Sequence, residues 1–497
     1  MAEKEEPRRT KTGIAGLDEL LGGGLFVGQT FLLEGSPGTG KTTLALQFLL
    51  EGAEAGERGL YITLSETEAE LRAGAASHGW RIGDGIEIFE LVTPERMLDP
   101  NQRQSLLYSS DLELGETTKL MFEAIERCRP SRIVVDSASE VRLLAHDALR
   151  YRHQILALKH RFARQGATVL LLDDLTLEPP DKTLHSIVHG IIRLEQLAKD
   201  YGPERRRLII LKQRGQAFRG GYHDFSIETG GVSVFPRLIA SEHHTSFNRD
   251  PLGSGIEELD ALLGGGVERG SSTLIMGPSG TGKSVFSLQF IKQAIDRGER
   301  AAMFVFDEEL GLLINRAEPL GFDIDKYRKR GQLHIEQIDV AAFSPGQFAH
   351  RLRAAAAESG TRTVVIDSLN GYVLAMPNET MLPLHMHELL QYLNRQGVNT
   401  FVTLAQHGLI GELHAPVDLT FLADTIILLR YFEALGHVRR AVSVIKKRTS
   451  RHEQVIREYR IGAGGLAMGA PLEDFEGVLL GTPHYVGERQ PFLIADK

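Results

Sequence analysis

Cysteine is nearly absent from this sequence of 497 residues, since Cys128 is the only one. A single thiol excludes an intramolecular disulfide framework and any zinc module built on four cysteines. No run of about 18 apolar residues occurs, so no membrane span is expected. The charged segment before Lys11 also lacks the apolar core of a signal peptide. These absences predict a cytoplasmic protein that does not associate with membranes.

Positive charge is also in short supply. The chain has 56 Lys and Arg against 65 Asp and Glu, which gives a net charge of −9 at pH 7. Such a chain is not suited to bulk capture of nucleic acid, so no nucleic-acid partner is expected. Hydrophobic residues make up 42% and charged residues 24%, which is close to the globular average and argues against wholesale disorder.

Glycine is in excess, with 52 residues, and much of it lies in two copies of one pattern. The leaders are residues 12–24 and 254–266. Each is followed by an apolar run, Thr30–Leu33 or Thr273–Met276, and then by a glycine-rich loop. The loop lysines, Lys41 and Lys283, are 242 positions apart. This period is too long for a solenoid and indicates a duplicated domain. The predicted divisions are a first domain at 10–237, a linker at 238–250, a second domain at 251–470 and a C-terminal tail at 471–497.

Within each copy, short apolar runs alternate with helical patterns. In the first copy, Gly59–Leu64, Arg132–Val135 and Thr168–Leu172 read as strands, and Thr42–Ala55 reads as a helix. Continuous apolar strands between helices are typical of parallel sheets that are covered on both faces. The predicted fold class is therefore α/β, with a doubly wound and largely parallel twisted sheet in each domain.

Both glycine-rich loops have the spacing Gly-x-x-x-x-Gly-Lys-Ser/Thr between a strand and a helix, which is typical of a phosphate loop. Glycines let backbone N–H groups turn towards phosphates, and the following helix directs its N-terminal dipole at the anion. Lys41 and Lys283 would contact the β- and γ-phosphates, and the hydroxyls of Thr42 and Ser284 would bind Mg²⁺. The predicted nucleotide-binding residues are Gly35, Ser36, Pro37, Gly38, Thr39, Gly40, Lys41, Thr42 and Thr43, together with Gly277, Pro278, Ser279, Gly280, Thr281, Gly282, Lys283 and Ser284.

Acidic residues follow the later apolar strands of each copy. Asp136 and Asp367 end such strands and are predicted as metal-side acids. Glu66 in the first copy, and Asp307 with Glu308 in the second, are candidates for the carboxylate that orients or deprotonates water. An acid in these places also caps a following helix, and that alternative stays open for each of them.

A Lys-x-Arg pair follows an apolar run late in each copy. The pairs are Lys212 with Arg214 and Lys446 with Arg448. Cations of this kind stabilise negative charge on a γ-phosphate, including one on a neighbouring subunit. The alternative is a solvated basic end of a strand.

These features resemble the KaiC family, double-domain ATPases of the RecA-like group, over nearly the whole chain. The resemblance rests on both leaders, both phosphate loops, the run Asp424–Leu429 and the segment from Lys446 to Tyr459. It implies two tandem RecA-like P-loop NTPase domains that form a double-ring homohexamer, with ATP and Mg²⁺ between adjacent subunits. It further implies hydrolysis in the first ring, autokinase and phosphatase activity in the second ring of clock members, and γ-phosphate contacts in trans from the Lys-x-Arg pairs.

The sequence departs from the clock-type members at two places. Their Glu-Glu pair is replaced by Ser65-Glu66 in the first copy and by Asp307-Glu308 in the second. Their adjacent Ser-Thr phosphorylation pair corresponds here to Thr420-Phe421, and phenylalanine cannot accept phosphate. The ordered two-site cycle is therefore not expected, and Thr420 is the possible phosphosite.

The leading hypothesis is a KaiC-like ATPase with serine/threonine autokinase activity in the second domain, acting as a ring in signalling or clock-like regulation. Its implied partners are copies of itself and a protein resembling KaiB or a two-component signalling protein. One alternative is a DNA-dependent recombination or helicase motor, and another is a nucleotide-gated scaffold with little turnover.

Overall fold

A computed structural model gives the architecture of the chain. It describes residues 8–91, 109–145, 147–175, 182–198, 202–339, 343–357, 359–374, 382–406, 420–480 and 482–487, together with residues 341 and 408. The chain divides into two compact units between Arg237 and Leu238. Among the described residues, no helix is both long and apolar enough to cross a membrane.

The first unit is built on one large sheet with helices on both faces. Its strands are β1 (Arg9–Thr10), β2 (Leu25–Phe26), β3 (Thr30–Glu34), β4 (Gly59–Thr63), β5 (Ile86–Glu90), β6 (Arg132–Asp136), β7 (Thr168–Asp173), β8 (Gly190–Leu197), β9 (Arg205–Gln213), β10 (Tyr222–Glu228) and β11 (Gly231–Phe235). Its helices are α1 (Ala15–Leu20), α2 (Lys41–Glu54), α3 (Glu68–Ser77), α4 (Ser109–Cys128), α5 (Ala138–Ala145), α6 (Ala148–Gln165) and α7 (Thr183–Ile187).

The large sheet of the first unit has nine strands in the order β11-β10-β9-β8-β3-β7-β6-β4-β5. In this order, β8, β3, β7, β6, β4 and β5 pair in parallel with their neighbours. β9, β10 and β11 continue the sheet beyond β8 in antiparallel pairs. β3, β4, β6 and β7 are buried along their whole length, because helices cover both faces. The carboxyl ends of these strands form one edge, where ligands bind in open α/β sheets.

The second unit repeats this plan. Its strands are β12 (Ser272–Gly277), β13 (Arg300–Val305), β14 (Leu333–Gln337), β15 (Thr361–Asp367), β16 (Asn399–Ala405), β17 (Thr425–Ala434), β18 (His437–Lys447), β19 (Arg457–Gly462), β20 (Gly465–Pro471), β21 (Phe475–Glu476) and β22 (His484–Tyr485). Its helices are α8 (Glu257–Leu262), α9 (Lys283–Asp296), α10 (Leu310–Ala317), α11 (Ile324–Lys329), α12 (Pro345–Ala357), α13 (Leu369–Leu374) and α14 (Leu382–Arg395). Short 3₁₀ turns cover Ala240–Glu242, Glu318–Leu320 and Val478–Leu480.

The order of the second nine-stranded sheet, read from its antiparallel edge, is β20-β19-β18-β17-β12-β16-β15-β13-β14. It matches the first sheet position by position. Two tandem domains, each with a mostly parallel sheet between helices, confirm the predicted RecA-like architecture. The antiparallel extensions were not part of the prediction, because the sequence pattern predicts only one strand of each hairpin, Arg207–Leu211 within β9 and Thr425–Leu429 within β17.

The segment 238–250, predicted as a linker, lies against the second unit. Leu238 and Ala240 are buried in its core, and the Ala240 amide donates to Glu388 on α14 at 3.1 Å. Part of the predicted tail also folds back, since Phe475 and the buried Val478 pack against β17 and β18. Residues 488–497 of that tail lie outside the described residues.

Candidate functional site: two phosphate loops at the carboxyl edges of the sheets

The first phosphate loop leads from β3 into α2. Gly40 precedes the helix with φ of 101°, a left-handed conformation that favours glycine. Lys41 is 7% exposed and turns back over the loop, where its Nζ donates to the carbonyl oxygens of Gly35 at 2.7 Å and Ser36 at 3.1 Å. The ammonium group therefore stands where a phosphate bound in the loop would lie.

A pair of oxygen ligands lies beside the loop. Thr42 Oγ1 is 3.5 Å from Asp136 Oδ2, so a hydroxyl and a carboxylate lie next to each other. Tyr61, which is fully buried on β4, donates its hydroxyl to the same Asp136 oxygen at 2.6 Å. Burial raises the pKa of Asp136, and the hydrogen bond from Tyr61 opposes that rise because it stabilises the charged form. Hard oxygen ligands beside a phosphate loop fit Mg²⁺ held jointly with a nucleotide.

Glu66 lies in the turn between β4 and α3. Thr63 Oγ1 fixes this turn, because it accepts from the Glu66 amide at 2.9 Å and donates to the Glu66 carbonyl at 2.7 Å. Glu66 and Thr42 line the same cavity. Burial raises the pKa of the Glu66 carboxyl, and the nearby charge of Asp136 raises it further. Helix α3 is capped by Thr67 instead, so Glu66 is not required as the capping residue.

The second phosphate loop has the same geometry at Gly277–Ser284. Lys283 Nζ donates to the carbonyl oxygens of Gly277 at 3.1 Å and Pro278 at 2.9 Å. Burial lowers the pKa of Lys283. Asp367, at the end of β15, accepts a hydrogen bond from Thr403 Oγ1 on β16 at 2.5 Å. In the second domain the metal-side acid thus accepts from a threonine on β16. In the first domain it accepts from a tyrosine on β4, which lies on the other side of the acid's strand in the matching strand order.

The two acids that follow β13 have different partners. Asp307 accepts a hydrogen bond from Ser368, the residue after Asp367. Glu308 pairs with Arg316 of α10 at 2.7 Å. Burial raises the pKa of both carboxyl groups. Glu309 caps α10, so neither Asp307 nor Glu308 is required as the capping residue.

The Lys-x-Arg pairs sit at equivalent places in the two units. Lys212 donates to the carbonyl of Val188 at 2.8 Å, and Arg214 donates to that of Ser186 at 2.9 Å. Lys446 donates to the carbonyl of Thr420 at 2.7 Å, and Arg448 donates to that of Phe421 at 2.9 Å. Within the chain, each basic pair is therefore anchored to the segment just before β8 or β17. The structure does not bring either pair to the loop of its own domain.

Three residues at these sites were missed by the sequence reasoning. Asp174 follows β7 and its Oδ1 lies 2.8 Å from Lys41 Nζ, and Tyr61 and Thr403 hold the metal-side acids. The available signal was position, since each lies at or near the carboxyl half of a strand next to a phosphate loop or a metal-side acid.

Comparison with known proteins agrees with this geometry. A family model described as "ATPase: KaiC" matches residues 10–239 and 252–473. The chain is 28% identical over 499 residues to "Circadian clock protein KaiC3" of Synechocystis sp., which covers 98% of this chain and 97% of that relative. It is also 28% identical to "Circadian clock oscillator protein KaiC" of Thermostichus vulcanus and of Picosynechococcus sp., in each case over 96% of this chain and 92% of the relative.

Proposed function

The chain belongs to the KaiC family of ATPases, and we propose that it binds ATP with Mg²⁺ in both domains and hydrolyses ATP in the first. The observation that carries this proposal is the convergence of Lys41, Thr42, Asp136 and Glu66 on one edge of the first sheet. Lys41 and Thr42 begin α2, Asp136 ends β6 and Glu66 follows β4. Together they supply a phosphate contact, a metal ligand pair and a base.

The roles follow from the chemistry of phosphoryl transfer, which depends on positioning and charge stabilisation. Lys41 would bind the terminal phosphates, and Thr42 with Asp136 would hold Mg²⁺, which neutralises the phosphate charge when bound. Glu66 would accept the proton of the attacking water, because a carboxyl group whose pKa is raised is a stronger base than an ordinary glutamate. A single carboxylate at the position after Ser65 supports slow turnover.

We propose a ring of identical subunits in which the basic pairs act on the nucleotide of a neighbour. Arg214 and Arg448 are anchored at the start of the hairpin strands and do not contact the loop of their own domain. A cation held in this way is available to a γ-phosphate across a subunit boundary. The family resemblance supports a double-ring homohexamer, and the experiment is native mass spectrometry with and without ATP.

We propose autokinase activity at Thr420 as the finer part of the function. Thr420 begins the described segment before β17, its carbonyl is held by Lys446, and it lines a cavity with Gln406 and Phe421. Phe421 is 54% exposed and cannot take phosphate. The proposed setting is cytoplasmic signalling or clock-like regulation, with a partner resembling KaiB or a two-component signalling protein.

The hydrolysis proposal is tested by replacing the loop lysines. Lys41→Ala is expected to lower turnover by more than tenfold, and Lys41→Ala with Lys283→Ala to abolish it, because each loop loses its phosphate charge. Lys119→Ala is the matched control, since Lys119 is an exposed lysine on α4 whose ion pair with Glu123 is at the surface. Phosphate release that persists in the double variant would contradict the assignment of the sites.

The autokinase proposal is tested by incubation with γ-labelled ATP and by mass spectrometry of the labelled peptides. Label on Thr420 that disappears in Thr420→Val and in Lys283→Ala is the expected result. Label that is absent from the second domain, while hydrolysis continues, would remove the kinase part and leave the ATPase.

A further inference from the structure

Asp174 occupies a place in the first phosphate site that has no acidic counterpart in the second. Its Oδ1 lies 2.8 Å from Lys41 Nζ, and its side chain is 30% exposed against 7% for the lysine. An ammonium group has three N–H donors. In Lys41 two of these donors bond to the carbonyls of Gly35 and Ser36, and the ammonium group also forms the ion pair with Asp174. The positive charge of the lysine is therefore already paired with a carboxylate before any phosphate arrives.

The second site shows what the loop is like without this carboxylate. Lys283 donates to the carbonyls of Gly277 and Pro278, and in the described part of the chain it forms no ion pair. One of its three donors is left over for a phosphate oxygen. The two loops thus differ in whether the lysine already forms an ion pair with a carboxylate.

The sheet register shows that Ala405 stands where Asp174 stands in the first domain. β3 pairs with β7 so that Glu34 lies beside Asp173, which places the next residue, Asp174, beside the loop. β12 pairs with β16 so that Gly277, the first glycine of the second loop, lies beside Ala405. Asp174 and Ala405 therefore occupy equivalent backbone positions in the two domains.

Both backbone positions are held in the same way. The Asp174 amide donates to Ser139 Oγ on α5 at 3.0 Å, and the Ala405 amide donates to Asn370 Oδ1 on α13 at 2.7 Å. Each helix follows the metal-side acid of its own domain. The strand end is fixed in both domains, so the difference at Lys41 comes from the side chain of Asp174 and not from a difference in backbone path.

We propose that Asp174 is an affinity-determining residue of the first site, which competes with nucleotide phosphate for Lys41 and so weakens nucleotide binding there. This inference rests on the proposed function, since it assumes that the first loop binds nucleotide. A phosphate that contacts Lys41 competes with the Asp174 carboxylate for the ammonium group, and the carboxylate remains as a negative charge beside the phosphate. The first site therefore releases nucleotide more readily than it would with a neutral residue at this position.

The test measures ADP affinity by calorimetry with Mg²⁺ present, because ADP carries the β-phosphate and is not hydrolysed. All first-site variants are made in the full chain with Lys283→Ala, so that the measured ADP binding comes from the first loop. Asp174→Asn keeps the shape of the side chain and removes its charge, and Asp174→Ala reproduces the residue of the second domain. Each is expected to tighten ADP binding about tenfold, since the ion pair that is lost is partly exposed. Asp174→Glu is expected to stay close to the parent.

Glu70→Gln is the control for charge alone. Glu70 caps α3 through Thr67 and lies near Glu66, but it does not contact Lys41. It is expected to change ADP affinity less than about twofold, since a charge effect across solvent is screened. The reverse exchange, Ala405→Asp with Lys41→Ala, is expected to weaken ADP binding to the second loop.

The outcomes separate this inference from the proposed function. ADP affinity that is unchanged or weaker in Asp174→Asn would overturn the competition, because removal of a competitor must tighten binding. A shift in Glu70→Gln as large as that in Asp174→Asn would assign the effect to general charge and would overturn it as well. Absence of ADP binding in the Lys283→Ala parent would instead refute nucleotide binding by the first loop.

Discussion

The hydrogen bond between Tyr61 and Asp136 leads to a prediction about the stability of the first domain alone. Tyr61→Phe removes one hydroxyl from a fully buried side chain and leaves the ring in place. The Asp136 carboxylate then loses its 2.6 Å donor and keeps Thr42 Oγ1 at 3.5 Å, a distance at the limit of hydrogen bonding. A hydrogen bond to a charged group contributes about 1.5–3 kcal/mol, so the expected loss is about 2 kcal/mol.

This loss can be read from one domain because the chain has a single tryptophan. Trp80 packs against the core of the first domain, so its fluorescence follows the unfolding of that domain in urea. A loss of about 2 kcal/mol in a domain of this size corresponds to a fall in the melting temperature of about 4 to 8 °C. Thr403→Val is the matched control, since it removes the hydroxyl that Asp367 accepts from in the second domain.

The reasoning fails if the Trp80 transition of Tyr61→Phe coincides with that of the parent chain. It also fails if Thr403→Val moves that transition by the same amount, since the effect would then not be local. A second consequence concerns the metal-side acid. Without the donor, nothing from Tyr61 opposes the rise that burial causes in the pKa of Asp136, so Tyr61→Phe should require more Mg²⁺ for half-maximal hydrolysis.

Two further predictions concern turnover in the first domain, measured in a Lys283→Ala chain. A base must be ionised, so activity is lost as the pH falls through the pKa of Glu66. Because burial raises that pKa above the ordinary value of 4.5, the loss should begin above the usual glutamate range. Glu66→Gln should be inactive at every pH. Arg214→Gln should lower the hydrolysis rate at least tenfold with ADP affinity unchanged, because the arginine would act on the charge of the transition state, and parent-like turnover would refute its role in trans.

The parts of the molecule that could be predicted from sequence are those fixed by local pattern. The phosphate loops are contiguous, and their glycines, lysine and hydroxyl residue must follow one another for the backbone to surround a phosphate. The strand before each loop is buried on both faces, so its apolar run is continuous and visible; Thr30–Leu33 and Thr273–Met276 are each extended by only a residue or two in the structure. The repeat then fixed the number of domains.

The parts that could not be predicted depend on strand order. Asp174, Tyr61 and Thr403 reach the sites because β7, β4 and β16 lie next to β3, β6 and β15. Strand order is a property of the folded sheet and leaves no local pattern. In addition, an aspartate, a tyrosine or a threonine near the end of an apolar strand is common, and only its neighbour across the sheet gives it a role.

The loop strands, β3 and β12, differ in the side-chain contacts that they make with the segments before β8 and β17, although the two domains share one strand order. In the first domain, the fully buried Glu34 precedes the loop and binds His185 Nε2 at 2.7 Å and Arg193 at 2.7 Å. The register places Met276 and Leu428 at the positions of Glu34 and Arg193 in the second domain.

A buried carboxylate is costly unless it is paired, so the ionic cluster ties His185 and the chain before β8 to the strand that carries the first loop. In the second domain, apolar Met276 and Leu428 instead line a cavity that Thr420 shares. The segment that contains Thr420 is joined to β12 farther from the loop, because the amide and the hydroxyl of Ser272 both donate to Asp424 Oδ2, at 3.0 and 3.1 Å. At the loop end of this strand, the first domain therefore has a buried ion pair where the second has apolar contacts.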